Sequence, residues 1–228
     1  MIKFILSLTL FVFTGYSSAS LLENLKAALI PEPEIKVLLL IPQGTIGLDG
    51  VEEKIETSMS IVQKWYANQL SGRTFKLSNQ KVKKIFIQES ISQFVNDQTR
   101  ESYSAKVCYR VVQKYAPVKV DDPGALWVVF VAGGEFIAHG GRGFSCIPSN
   151  PFYGMSDRKD INFKTGFYSI VAHEIGHAMG LKHPQDYLND RSIMGNWGGV
   201  LFPDQTYFSD SDKKILLSNP FIKKFETK

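Results

Sequence analysis

The sequence predicts an α+β fold, in which a mixed, twisted sheet with helices leads into a helix that ends near residue 181. An irregular C-terminal subdomain with one final short helix follows. Three observations predict it. Apolar runs of strand length alternate with segments whose apolar residues recur every three to four positions, the pattern of a sheet interleaved with helices. Roughly the last forty residues carry little of either pattern. Hydrophobic content of 44% and charged content of 21% over 228 residues are ordinary globular values, which exclude disordered and fibrous classes.

Taken in chain order, "MIKFILSLTLFVFTGYSSAS" has one lysine, an apolar run from Phe4 to Phe13 and small residues ending at Ala19. That is the layout of a signal peptide over residues 1–19, and it predicts an exported protein, secreted or periplasmic. The apolar run is about half of the roughly 20 residues needed to span a bilayer, so no stable membrane anchor is expected. Residues 20–35 read as a short leader, and 36–228 as one domain of catalytic size. "KVLLLIP" (Lys36 to Pro42) is continuous and apolar, hence a buried strand. From Val51 to Leu70, Ile55, Met59, Val62, Trp65, Tyr66 and Leu70 recur at helical spacing, with Gly72 as the stop.

Phe75 to Gln88 alternates well enough for one or two strands, and Ser102 to Tyr115 is helical, closed by Pro117. "ALWVVFVAGG" (Ala125 to Gly134) is a strand rich in β-branched and aromatic residues that ends in a glycine pair. "FIAHGGRGFSCIP" (Phe136 to Pro148) is glycine-broken and reads as an irregular edge strand. Thr165 to Leu181 is a helix, and Ser209 to Leu217 is a short one with Ser209 at its N-cap.

The formal charge of +4 is mild, and the lysines are scattered without interleaved aromatics, so no nucleic-acid partner is expected. Cys108 and Cys146 fit one disulfide in an exported chain; two buried free thiols is the alternative.

The chemistry concentrates in "HEIGHAMGLKHP", where three of the four histidines fall within eleven residues. On a helix, residues four apart lie nearly on one face, so His173 and His177 present two imidazoles to one point. A tetrahedral zinc ion needs such nitrogen donors at about 2.0–2.1 Å. Glu174 lies beside the first ligand and can reach a water on the metal without ligating, which is the general-base position. Gly180 permits a left-handed residue at the helix end, turning the chain so that His183 returns as third ligand. Three protein ligands leave one position open, and an open position means catalysis rather than structure. Accidental occurrence of the full pattern is on the order of one chain in 10⁵ at ordinary residue usage.

At these residues the chain resembles the metzincin zinc endopeptidases, whose H-E-x-x-H-x-x-G-x-x-H signature "HEIGHAMGLKH" fits without a mismatch. That family has a tight methionine turn beneath the metal, and "SIMGN" supplies Met194 for it. The resemblance implies an upper sheet-and-helix part, a lower irregular part after Gly180, and a cleft between them. Pro184 and the residues after it look like the serralysin branch, whereas the compact length and "YFSDSDKKIL" look like the matrixins. The tyrosine that some branches place two residues after the methionine is Asn196 here.

What this implies is a secreted zinc metalloendopeptidase that acts as a monomer on a protein or peptide substrate. The substrate would lie extended along the edge strand around Phe136 to Phe144. One catalytic Zn2+ is expected. Asp157 and Asp160 could belong to a Ca2+ loop, although they lack the oxygen-ligand spacing of a known site. Trp197, Phe202, Tyr207 and Phe208 could wall a specificity pocket or belong to the core. His139 could touch substrate or a second metal, or be an ordinary loop histidine. Glu23, Glu32 and Glu34 are candidates for holding a precursor latent. Two rival functions are a zinc-stabilised exported binding protein and a zinc hydrolase of a non-protein substrate.

Overall fold

A computed structural model describes residues 32–79, 81–94, 102–133, 138–149, 161–195 and 202–224. The signal segment, most of the leader, Phe136, Asp157, Asp160, Asn196 and Trp197 lie outside them. Five strands form the main sheet, in the order β3-β1-β4-β6-β5. They are β1 (Glu34–Gln43), β3 (Lys83–Ser90), β4 (Ala125–Val131), β5 (His139–Gly141) and β6 (Phe144–Pro148). β1 pairs in parallel with β3 and β4, β4 in parallel with β6, and β5 antiparallel to β6. The sheet is mixed, as its sequence pattern predicts.

Period-two alternation along β1 and β4 sends side chains to opposite faces and creates two cores. Ile35, Leu39, Ile41, Leu126, Val128 and Phe130 pack beneath helices α1 (Val51–Gln69) and α3 (Ile161–Ala178). Leu38, Leu40, Trp127, Val129 and Val131 face the other way, onto α2 (Ser102–Tyr115). All seven residues of β4 are buried, which is why its sequence runs apolar without alternation. Each fully buried Val, Leu or Phe contributes about 1.5–3 kcal/mol.

The stretch read as one irregular edge strand is a hairpin. Arg142 and Gly143 both have positive φ (52° and 74°), which suits a two-residue turn joining β5 to β6. β6 is interior, with Phe144 and Cys146 in one core and Ile147 in the other, and of the hairpin's two strands the short β5 is the one at a sheet edge among the described residues. Cys108 on α2 and Cys146 on β6 are disulfide-bonded, which ties that helix to the sheet.

The described residues between α3 and α4 (Asp210–Ser218) form no helix or strand, and Ser209 and Asp212 form a reciprocal capping box at the start of α4. The tail strand β7 (Ile222–Lys224) pairs antiparallel with β2 (Arg73–Phe75). Among the described residues, no helix is long and apolar enough to cross a membrane.

Candidate metal centre

His173 and His177 stand one turn apart on α3, and the chain reverses at Gly180 (φ +97°) immediately after it. Gly180 N–H donates to the His177 carbonyl (2.9 Å), and Leu181 N–H to the Gly176 carbonyl (3.0 Å). These are the two bonds that close a helix around a left-handed residue. The reversal brings His183 back. Its Nε2 lies 3.1 Å from His173 Nε2 and 2.9 Å from His177 Nε2. Donor nitrogens about 2.0–2.1 Å from one tetrahedral cation stand about 3.3 Å apart, so these two separations are within a few tenths of an ångström of those in a ligand set, and all three donors lie within 4.8 Å of one another.

The tautomers are fixed from behind. His173 Nδ1 lies 2.7 Å from the Ile193 carbonyl and His177 Nδ1 lies 2.9 Å from the Leu181 carbonyl. A carbonyl only accepts, so each Nδ1 carries the proton and each Nε2 presents its lone pair inward. His183 Nε2 has at most one proton to donate between two such acceptors, so hydrogen bonding alone leaves at least one lone pair facing another. A cation at the centre resolves that conflict. Burial, with the neighbouring histidines adding to it, pushes His173 down to about 4 despite the Ile193 carbonyl, so its imidazole is neutral at physiological pH. His177 is lowered for the same leading reason. Neutral imidazoles are what a metal requires.

Glu174, the residue beside His173, is buried, and its Oε2 has no hydrogen-bond partner among the described residues. Burial raises its carboxyl to about 8. A divalent cation nearby reverses that, because positive charge favours the carboxylate. Three converging imidazoles, with an orphaned carboxylate oxygen on the residue that follows the first of them, therefore fit a metal site.

The surroundings hold this helix in place at several points. The buried Tyr66 hydroxyl on α1 donates to the Ala172 carbonyl, one residue before His173 (2.9 Å). Burial, with Asp212 adding to it, raises that phenol well above its usual range, so it stays a donor. At the helix end, Gly143 N–H reaches the Ala178 carbonyl (2.9 Å) and Asn219 Nδ2 the Met179 carbonyl (3.0 Å).

Met194 is fully buried under the site, and a Cβ on Gly176 would stand 2.9 Å from its sulfur. A Cβ on Gly140 of β5 would overlap the Glu174 carbonyl oxygen and come within 2.9 Å of His177 Cβ. The edge strand thus lies directly on the histidine helix.

Of the expected residues, His173, His177, His183, Glu174 and Met194 come together. Phe202 and Phe208 do not line an open wall; they are buried against Trp65 (ring centroids 5.3 and 4.8 Å), while Tyr207 is partly exposed. Glu34 lies in β1 with its carboxylate 3.9 Å from Lys36. His139 is exposed on β5, close enough to His177 to act on its charge. Gly140, Gly176 and Tyr66 carry no signature that marks them beforehand, because each matters through what it packs against.

The model of the reprolysin-like metallopeptidase family M12B matches residues 52–184, more than half of the chain. No curated protein matches it by sequence. Among solved structures, catalytically inactive OgpA from Akkermansia muciniphila, in complex with an O-glycopeptide (glycodrosocin) substrate, has a TM-score of 0.62. The identity is 13%, over 84% of this chain and 61% of that one. Wild-type OgpA gives 0.63 at 13% identity, over 84% and 62%. Archaemetzincin from Methanopyrus kandleri gives 0.47 at 16% identity, over 83% and 97%. The OgpA likeness is one of fold, and this chain spans about three-fifths of OgpA's length. The chain belongs to the reprolysin-like metallopeptidase family, within the metzincin-like zinc peptidases. Zinc is the cofactor that the family and the histidine triad support.

Proposed function

We propose that this member of the reprolysin-like family is an exported zinc metalloendopeptidase that hydrolyses peptide bonds in an extended protein or peptide substrate. One observation carries the reading: three imidazoles converge on one point, and Glu174, next in the chain to the first of them, has a buried carboxylate oxygen without a hydrogen-bond partner among the described residues. His173, His177 and His183 would hold the zinc. When bound there, zinc supplies a Lewis acid that polarises the scissile carbonyl and acidifies water.

Glu174 accepts the proton of the attacking water and returns it to the leaving amine, so that water and peptide become a carboxylic acid and an amine. Ile193 and Leu181 orient two of the rings through their carbonyls. Beyond β5 no strand pairs with the sheet among the described residues, so that edge can take a substrate strand by main-chain bonds. Because Gly140 rests on the carbonyl of Glu174 and on His177, a strand added there passes next to the triad. Export is supported by the N-terminal apolar run and by the disulfide, a bond that persists in oxidising compartments.

The test is cleavage of denatured casein and a peptide library by the purified full chain, with and without chelator, beside Glu174→Ala. The wild type is expected to cut in a chelator-sensitive way. The variant should keep its zinc and lose about 10²–10⁴-fold in rate. A zinc-loaded wild type that cuts no peptide would refute the peptidase reading and leave a binding protein or another zinc hydrolase.

A further inference from the structure

The three histidines are not held alike. His173 and His177 sit on α3 with each Nδ1 fixed to a carbonyl. His183 lies beyond the helix and is exposed, and its Nδ1 has no hydrogen-bond partner among the described residues. An imidazole without such a brace samples ring orientations that point Nε2 away from the other two, and second contacts of this kind normally set the affinity of a histidine site. Its other contact is aromatic. The Tyr187 ring lies 4.7 Å from the His183 ring, centroid to centroid, tilted by 46°. That spacing is within the range of favourable ring pairs.

Tyr187 is itself fixed by its loop. The Asp186 carbonyl accepts from Asn189 N–H (3.2 Å) and Asp190 N–H (3.0 Å), and Asp186 Oδ1 accepts from Asn189 Nδ2 (2.9 Å). Asp190 Oδ1 then accepts from Ser192 N–H (2.6 Å), one residue before the carbonyl that orients His173. The segment that presents Tyr187 is therefore tied to the segment that braces the first histidine.

We propose that the ring of Tyr187 is the positioning element for His183, taking the place that a carbonyl holds behind each of the other two histidines. This rests on the reading of the triad as the zinc site. The face of the ring does the work, so the hydroxyl is dispensable. Tyr187 is half-buried on a surface loop. Its truncation therefore acts on the site rather than on the core.

The experiment measures zinc affinity by chelator competition in the full-length wild type, Tyr187→Phe, Tyr187→Ala and His183→Ala, together with the visible spectrum of the cobalt-substituted proteins and the Tm of each metal-free form. Tyr187→Ala is expected to weaken zinc about 10–100-fold and to change the cobalt spectrum, while its metal-free Tm matches the wild type. Tyr187→Phe is expected within about threefold of the wild type, with its spectrum retained. Wild-type affinity in Tyr187→Ala overturns the proposal. So does an equal loss in both tyrosine variants, which would assign the effect to the hydroxyl, or a metal-free Tm that falls along with the affinity. A His183→Ala protein that binds zinc as tightly as the wild type would instead refute the triad reading itself.

Discussion

Gly140 and Glu174 meet where the edge strand β5 touches the histidine helix, and the contact leaves no room for a side chain. A methyl at position 140 would overlap the Glu174 carbonyl oxygen and press on His177 Cβ. Neither neighbour can yield easily, since one is helix backbone and the other is the Cβ of a helix residue whose ring is held by the Leu181 carbonyl. Gly140→Ala is therefore expected to lower stability by about 1–3 kcal/mol, the range for overpacking a tight interior. It should also reduce kcat/KM at least tenfold, because the strand must lift off the helix. At Gly141 an added Cβ meets nothing within 4 Å, so Gly141→Ala should leave Tm unchanged. Thermal melts and steady-state kinetics on the two variants check this. Equal melts would mean that the strand does not lie on the helix.

At the scale of elements, α3 is held from α1 by Tyr66, from the β5–β6 turn by Gly143 and from the C-terminal segment by Asn219. The opposite face of the sheet is fastened by the Cys108–Cys146 bridge, whose ends are 38 residues apart in sequence. Closing a loop of that size restricts the unfolded chain by about 4 kcal/mol in the chain-entropy model. The double variant Cys108→Ser with Cys146→Ser should lose a large part of that in urea unfolding. No change on removing the bridge would show that the unfolded chain gains little from it.

The elements themselves were legible where one physical signal dominates. The continuous apolar run of β4, the three-to-four spacing of α1 and the serine cap of α4 each match the structure to within a few residues. The hairpin after β4 was not legible as two strands, because three glycines between His139 and Phe144 erase the alternation that would separate a short edge from a buried interior strand.

Across the whole molecule, local and long-range information contributed unequally. The convergence of the three histidines, the place of Glu174 beside the first and the glycine bend were legible because helix geometry alone relates residues four apart, and Gly180 accounts for the remaining offset. The braces behind them were not. The carbonyls of Ile193 and Leu181 belong to the backbone, which has no sequence signature, and Tyr66 acts on Ala172 across 106 residues of chain. The aromatic residues near the C-terminus were ambiguous between pocket and core for a related reason. Burial of Phe202 and Phe208 depends on Trp65, which lies on α1.

The central claim is that three imidazoles converge on one cation and leave its remaining position to solvent. X-ray absorption at the zinc edge on the purified chain tests it most directly. The expected result is one equivalent of zinc with three imidazole nitrogens and one oxygen at about 2.0–2.1 Å. A closed shell of four protein donors, or a protein that retains no stoichiometric zinc, would contradict it.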